Sequence, residues 1–265
     1  MSTKSPLLNV MCQAAQKAGR KLNRDFGEVE NLQVSKKGPA DFVSNADRMA
    51  EKILFEALGK ARPKYGFLME ESGAREGSDT SNTWIVDPLD GTTNFLHGIP
   101  HFAISIGLER DGEPFAGVVY EPVHDQMFWA EKGGGAFLNG RRVRVSARGD
   151  MSASLFATGL PFMGRDHAPS ILARVRTVMD RSAGIRRFGA ASLDLAWVAA
   201  GRYEGFWETG LSAWDMAAGS VLIKEAGGFV SDLDGGKRYL NTGHIVAAND
   251  QLHASLLKTL KSATR

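Results

Sequence analysis

The sequence has few of the features that mark secreted, membrane-spanning or nucleic-acid-binding chains. It has one cysteine, Cys12, among 265 residues, so an internal disulfide is excluded and a reducing compartment is indicated. It lacks an apolar run near the roughly 18 residues that a transmembrane helix needs, and its first residues lack the apolar core of a signal peptide. The formal net charge of +2 is too small to indicate a nucleic-acid partner by itself. We therefore expect a cytoplasmic protein with no membrane partner.

The spacing of apolar residues divides the chain into helical and strand-rich blocks. Residues 101–145 alternate apolar and polar positions around Asp-Gly and Asn-Gly pairs, a pattern that predicts an antiparallel meander. Helical spacing predicts helices over 6–26, 45–61, 166–181, 190–200, 214–226 and 250–262. Because helices and strands alternate in blocks, we predict a layered α/β (α+β) fold.

The segment 84–95 organises the rest of the chain. Trp84 to Val86 forms a short buried strand that leads into Asp87 and Asp90, and Pro88 should end that strand because it cannot donate to a sheet ladder. Gly91 permits a tight turn before a helical start. One interpretation is a polar turn, since Asp and Gly are common there; the other is a cation site beside a phosphate-binding helix start.

Further carboxylates follow other elements. Glu70 follows a strand over 65–69, and Asp215 opens a helix after Trp214. Two unit charges about 4 Å apart repel by roughly 4 kcal/mol at an effective dielectric near 20, so converging carboxylates would require cations. The six histidines show no ligand spacing such as His-x-x-x-His. An oxygen-only ligand set favours Mg²⁺ over zinc.

Three segments resemble the signature segments of the inositol monophosphatase family. They run from Phe67 to Ser72, from Trp84 to Thr93 and from Trp214 to Gly219. Residues 41–47 resemble the upstream segment of the family, and residues 189–208 resemble its substrate-side segment. The resemblance covers nearly the whole chain in order, and it is closest to the bacterial SuhB-type members.

The resemblance implies a five-layer α-β-α-β-α sandwich and a homodimer. It implies a single domain over residues 1–265, with a metal-binding α+β half near 1–145 and an α/β substrate half near 146–265. The implied activity is a Mg²⁺-dependent, lithium-sensitive hydrolysis of myo-inositol 1-phosphate by an activated water, with two or three Mg²⁺ ions.

The resemblance also assigns roles to individual residues. The implied metal ligands are Glu70, Asp87, the Leu89 carbonyl, Asp90 and Asp215. The implied catalytic residues are Glu70, Thr92 and Asp47, of which Thr92, supported by Asp47, would orient the attacking water. The implied substrate-binding residues are Leu89, Asp90, Gly91, Thr92, Arg186, Gly189, Ala190, Ala191, Glu208 and Asp215. We expect Asp90 to touch only a metal and not the core.

Other functions stay open at this stage. The substrate could be another phosphomonoester, such as a sugar bisphosphate, histidinol phosphate or a 3′-phosphonucleotide. Ala190 replaces a hydroxyl residue found in some members, which leaves the ring selectivity open. SuhB-type members are also associated with transcription complexes and ribosomal RNA synthesis. Arg141, Arg142, Arg144 and Arg148 cluster after a hairpin. This arginine cluster is either a solvated face or a contact with RNA or a transcription complex.

Overall fold

The computed structural model describes residues 4–26, 34–38, 41–160 and 168–263. Its helices are α1 Pro6–Phe26, α2 Asn45–Ala61, α3 Thr92–Leu96, α4 Ala168–Met179, α5 Ala191–Ala199, α6 Ala213–Glu225, α7 Tyr239–Thr242 and α8 His253–Ser262. Its strands are β1 Val34–Gly38, β2 Asp41–Ser44, β3 Tyr65–Met69, β4 Gly73–Arg75, β5 Asp79–Asp90, β6 Ala103–Arg110, β7 Glu113–Glu121, β8 Gln126–Glu131, β9 Gly135–Leu138, β10 Arg141–Val143, β11 Leu155–Thr158, β12 Gly184–Arg186, β13 Gly205–Thr209, β14 Phe229–Ser231 and β15 His244–Ala248.

Two sheets hold most of these strands. The large sheet has the order β10-β9-β8-β7-β6-β5-β3-β4, and the small sheet has the order β12-β11-β13-β15-β14. From β6 to β10 the large sheet is an antiparallel meander, as predicted, and β5 pairs with β6 in the same antiparallel sense. Strands β3 and β5 pair in parallel, so their carboxyl ends lie at the same edge of the sheet.

Three layers of helices alternate with the two sheets. The apolar faces of α1 and α2 pack on one face of the large sheet, with residues such as Met11 and Leu54 fully buried there. Helices α5 and α6 lie between the sheets, and α4 and α8 lie on the outer face of the small sheet. The five-layer sandwich is therefore confirmed. No helix in the described part of the chain combines the length and apolarity needed to cross a bilayer.

Helix α6 touches the large sheet at two glycines. A Cβ atom at Gly117 would lie 2.4 Å from the Ala218 carbonyl oxygen, and one at Gly107 would lie 2.8 Å from the Ala217 Cβ. Because neither position carries a side chain, the helix backbone rests directly on β6 and β7. This close approach fixes the start of α6, where Asp215 lies, against the centre of the sheet.

The end of β5 differs from the prediction. The strand continues through Pro88 to Asp90, so the expectation that Pro88 ends it is wrong. Asp87 pairs with Ser105 and Asp90 pairs with Ala103, which leaves three residue steps on β5 opposite two on β6. Pro88 lies in this bulge, where the ladder is interrupted and the missing N–H is tolerated.

Candidate active site

The site begins where two parallel strands end side by side. Met69 on β3 pairs with Val86 on β5, so the next residues, Glu70 and Asp87, emerge at one edge of the sheet. The backbone N–H of Glu70 donates to the Val86 carbonyl at 3.2 Å, which continues the ladder by one more bond. The parallel pairing therefore places two carboxylates from distant sequence positions next to each other.

The bulge turns the chain so that Asp87 and Asp90 face the same space. The Leu89 N–H donates to Asp87 Oδ1 at 2.8 Å, a local turn that orients the Asp87 carboxylate. Gly91 follows with φ +94°, and a Cβ there would lie 3.0 Å from the His101 carbonyl oxygen. This positive φ explains why a glycine is needed between Asp90 and α3.

Asp90 is anchored to the start of α5. Its Oδ2 accepts hydrogen bonds from the Ser192 N–H at 2.7 Å and from the Ser192 hydroxyl at 2.5 Å. The Asp90 side chain is buried. The expectation that Asp90 touches only a metal is therefore wrong: one oxygen caps a helix, because free N–H groups at a helix start attract a carboxylate.

Asp215 is held at the start of α6 by two further contacts. The Ser212 N–H donates to Asp215 Oδ2 at 2.7 Å. The Ser105 hydroxyl on β6 donates to the Trp214 carbonyl at 2.9 Å and ties this helix start to the sheet. One oxygen of Asp90 and one of Asp215 thus accept hydrogen bonds from the protein, which fixes the direction of both carboxylates.

Asp87, Asp90 and Asp215 converge at one point. Each offers a carboxylate oxygen, and these oxygens lie within 4.8 Å of one another. Burial, followed by the charges of Glu70, Asp90 and Asp215, raises the pKa of Asp87 well above its usual range. Burial raises the pKa of Asp90 to about 6, and burial followed by the charge of Asp90 raises that of Asp215. Carboxylates placed so close favour either bound protons or a bound cation.

Thr92 joins this cluster to a fourth buried acid. The Thr92 hydroxyl lies 3.0 Å from Asp47 Oδ1 and 3.0 Å from the Leu89 carbonyl oxygen. Asp47 is fully buried in the first turn of α2. Because a hydroxyl has one proton to donate, Thr92 donates to one of these oxygens at a time. The structure therefore brings Asp47, Thr92 and Leu89 together as the resemblance implies.

The predicted substrate-side residues form the opposite wall. Ala190 and Ala191 are buried at the start of α5, and the Ala190 Cβ lies 3.3 Å from the Cβ position at Gly91. Gly189 has φ +81°. Glu208 is half-buried on β13, and its charge contributes, after burial and the charges of Asp90 and Glu70, to raising the pKa of Asp215. These residues therefore lie beside the acidic cluster.

Arg186 and its neighbour Arg187 differ in their surroundings. Arg186 is exposed and its Nη1 donates to the Ile185 carbonyl at 3.0 Å, so a place for it in the site stays a prediction. The Arg187 Nη1 lies 2.6 Å from the Cβ position at Gly189. Of the two guanidinium groups, that of Arg187 lies against a predicted site residue, Gly189.

Several residues of the site carry no obvious signal in the sequence. Ser105 and Ser192 hold Trp214 and Asp90 across more than 100 residues of chain, which no local pattern reveals. Ser212 could have been found, because Ser-x-x-Asp before a helix is a capping signal. Asp194 was also missed: burial, followed by the charges of Glu208 and Asp90, raises its pKa well above its usual range.

Comparisons with known proteins agree with this geometry. The sequence profile described as "Inositol monophosphatase family" matches residues 3–265. An "Inositol-1-monophosphatase" of Mesorhizobium japonicum is 61% identical, over 97% of this chain and 97% of the relative. A "Nus factor SuhB" of Pseudomonas aeruginosa is 47% identical, over 97% of this chain and 96% of the relative. The crystal structure of extragenic suppressor protein suhB from Bartonella henselae matches with a TM-score of 0.95 and 57% identity, over 97% of this chain and 99% of that one.

Proposed function

Because this chain belongs to the inositol monophosphatase family, we propose that it hydrolyses myo-inositol 1-phosphate and related phosphomonoesters to the alcohol and inorganic phosphate. The observation that carries the proposal is the convergence of Asp87, Asp90 and Asp215 beside a wall of small residues. The relative named inositol-1-monophosphatase, at 61% identity, supports the same substrate class.

The residues present fit a divalent cation. The cluster offers only oxygen donors, which suit Mg²⁺, and its raised pKa values reflect negative charge that a cation would neutralise. We propose that the metal ligands are Glu70, Asp87, the Leu89 carbonyl, Asp90 and Asp215. The charges of Glu70, Asp90 and Asp215 all act on Asp87, and so many acids beside one carboxylate support two or three ions. Bound Mg²⁺ would supply Lewis-acid activation of water and stabilisation of the leaving oxygen.

The protein groups would then orient the reactants. The Thr92 hydroxyl, which donates to Asp47, would accept a hydrogen bond from the attacking water. The N–H groups of Gly91 and Thr92 lie at the start of α3, where a helix leaves its N–H groups without intrahelical partners, and they would hold the phosphate. The Glu208 carboxylate would accept hydrogen bonds from ring hydroxyls because an ionised carboxylate only accepts. Leu89, Asp90 and Asp215 on the acidic side, and Gly189, Ala190 and Ala191 on the opposite wall, would line the ring site.

A panel of phosphomonoesters tests the proposed function. We expect phosphate release with Mg²⁺ to be fastest for inositol 1-phosphate among inositol phosphates, sugar bisphosphates, histidinol phosphate and 3′-phosphonucleotides. The reason is that the small-residue wall and Glu208 suit a ring with vicinal hydroxyls. Initial rates at equal, sub-saturating substrate give the ratio of kcat/KM values directly. A higher kcat/KM for a different substrate would replace inositol phosphate as the substrate, and no release from any of them would remove the phosphatase assignment.

We propose further that the protein is a homodimer. The apolar side chains of Ile99 and Phe188 are both exposed, and we call this pair the Ile99–Phe188 patch. Asn94 joins its two segments: the Asn94 Nδ2 donates to the Phe188 carbonyl at 2.7 Å and to the His101 carbonyl at 2.8 Å. The His101 ring packs on Phe188 with ring centroids 5.0 Å apart. A rigid, exposed apolar surface of this kind supports an interface between two copies.

Replacing Phe188 with serine is expected to weaken the dimer. Burial of one phenylalanine is worth roughly 1.5–3 kcal/mol, and a twofold interface contains it twice, so the dissociation constant should rise by at least about a hundredfold. Sedimentation equilibrium measures this constant. Phe229→Ser is the matched control, because Phe229 is even more exposed but lies on the edge strand β14 of the small sheet. Equal dimerisation of the Phe188 variant and wild type would remove the patch from the interface.

A second candidate is a regulatory role in transcription or ribosomal RNA synthesis. Arg141, Arg142 and Arg144 are exposed on and after the edge strand β10, where their charges face solvent. Arg148 is engaged differently, since its guanidinium pairs with the buried Glu204 at 2.9 Å. The remaining arginines and the relative named Nus factor SuhB support contact with RNA or a transcription complex, alongside the phosphatase activity.

A further inference from the structure

The carboxylate of Glu208 rests against the backbone of Gly159. A Cβ atom at Gly159 would lie 1.9 Å from Glu208 Oε1, 2.0 Å from Cδ and 2.4 Å from Oε2. All three distances are far below van der Waals contact, so the whole carboxylate occupies the space that any other side chain at position 159 would take. Glu208 therefore holds its present position only because position 159 has no side chain.

The strands fix this contact. Strand β11 pairs in parallel with β13, and Thr158 pairs with Trp207 as the last residue of the register. The Thr158 hydroxyl also donates to the Trp207 carbonyl at 2.7 Å, inside the protein. The residues that follow, Gly159 and Glu208, are thus held side by side by a hydrogen-bonded ladder and cannot separate without breaking it.

Other acids lie around Glu208 and limit where its carboxylate can move. The charge of Glu208 acts on Asp194 and on Asp215, where it adds to burial in raising the pKa of each. Movement towards either acid costs electrostatic energy, because like charges repel more strongly in a buried site. Gly159 therefore provides a neutral surface for the carboxylate in acidic surroundings.

We infer that Gly159 is a specificity-determining residue that positions the Glu208 carboxylate for the ring hydroxyls of a polyol phosphate. Gly159 acts through Glu208, since the three atoms nearest to its Cβ position all belong to the Glu208 carboxyl group. The inference rests on the proposed function, since it assigns the geometric origin of selectivity within the same site.

The change Gly159→Ala separates this role from a general structural one. The backbone of Gly159 is not in the left-handed region, so alanine fits the backbone conformation, and the clash falls on the end of a flexible side chain. We expect the variant to fold. We expect its kcat/KM for inositol 1-phosphate, divided by that for p-nitrophenyl phosphate, to fall about tenfold or more, mainly through a higher KM. That loss corresponds to a charged hydrogen bond to a hydroxyl that is no longer made.

A double-mutant cycle with Glu208→Ala supplies the decisive comparison. Once the carboxylate is absent, adding Gly159→Ala should leave the selectivity ratio unchanged within about twofold, because the alanine no longer displaces anything. Gly59→Ala controls for the general effect of a glycine-to-alanine change, since a Cβ there would meet nothing closer than 3.8 Å.

Each possible result supports or overturns the role of Gly159. An unchanged selectivity ratio in Gly159→Ala, or an equal loss with and without Glu208, would overturn the inference while leaving the proposed function intact. If Gly159→Ala fails to fold but Gly159→Ala/Glu208→Ala folds, the clash with Glu208 is demonstrated, whereas failure of both would overturn the inference. If the wild-type enzyme does not prefer inositol 1-phosphate to p-nitrophenyl phosphate, the proposed substrate fails and the inference fails with it.

Discussion

Removal of divalent cations is expected to abolish phosphate release. Asp87, Asp90 and Asp215 place three carboxylate oxygens within 4.8 Å of one another, and among the residues that the structure describes this cluster contains no histidine or cysteine. In the proposed reaction a bound cation would activate the water and would be worth several kcal/mol at the transition state. We expect excess chelator to lower the rate by at least about a thousandfold and added Mg²⁺ to restore it. By family resemblance, millimolar lithium should inhibit.

The pH dependence of Mg²⁺ affinity provides an internal check. Burial raises the pKa of Asp90 to about 6, so protons compete with the cation below that pH. The apparent Mg²⁺ affinity, measured by titrating activity or melting temperature, should rise as the pH increases from 5 to 7. Full activity in chelator after dialysis would show that the acidic cluster is not a catalytic metal site.

Replacement of Asp90 with asparagine is expected to lower the rate by roughly two to three decades. The loss of a transition-state interaction of about 3–4 kcal/mol gives this factor. Asparagine has nearly the same shape, and its carbonyl oxygen can still accept the two hydrogen bonds from Ser192. Steady-state phosphate release with saturating Mg²⁺ measures the effect. Ser192→Ala is the matched control, because it removes the hydroxyl bond and leaves the charge; we expect it to lose far less activity.

The same substitution should not destabilise the metal-free protein at neutral pH. The folded-state pKa of Asp90 is raised, so the folded protein binds the proton more tightly than the unfolded chain does. Stability gained from that proton is present at low pH and is lost as the pH rises through about 6. In chelator, the melting temperature of Asp90→Asn should therefore exceed that of wild type by roughly a few degrees at pH 7. The difference should shrink towards pH 4. A lower melting temperature than wild type at pH 7 would mean that the charge supports the fold.

This variant also distinguishes the two proposed roles in the cell. It keeps the arginines of the β10 edge and the anchoring of α5 while it loses catalysis. Failure to complement a strain without the gene, with the variant folded and present at normal level, would support the phosphatase as the physiological role. Full complementation would favour the regulatory role. Retention of near-normal hydrolysis would instead mean that Asp90 is not a ligand of a required cation.

Much of the fold follows from local patterns. The meander from β6 to β10 and the helices α1, α2, α5, α6 and α8 lie where apolar periodicity and turn residues place them, with ends within a few residues. These helices and strands can be predicted because their backbone hydrogen bonds and their buried faces repeat over neighbouring residues. The end of β5 could not be predicted from the local sequence. A proline that ends a strand and a proline in a β-bulge look the same there, and only the pairing of β5 with β6 distinguishes them.

The sequence by itself determined which acids could form a cluster. A carboxylate that directly follows a predicted strand or begins a helix has few other roles, and this applies to Glu70, Asp87 and Asp215. Only the tertiary structure decided which contacts hold and orient these carboxylates. Ser192 reaches Asp90 across 102 residues, Ser105 reaches Trp214 across 109, and Gly159 lies under Glu208 through strand pairing. Such contacts leave no periodic trace, since a serine or glycine suits many local environments. The role of such a serine or glycine is set by the distant backbone that the packing of the layers brings against it.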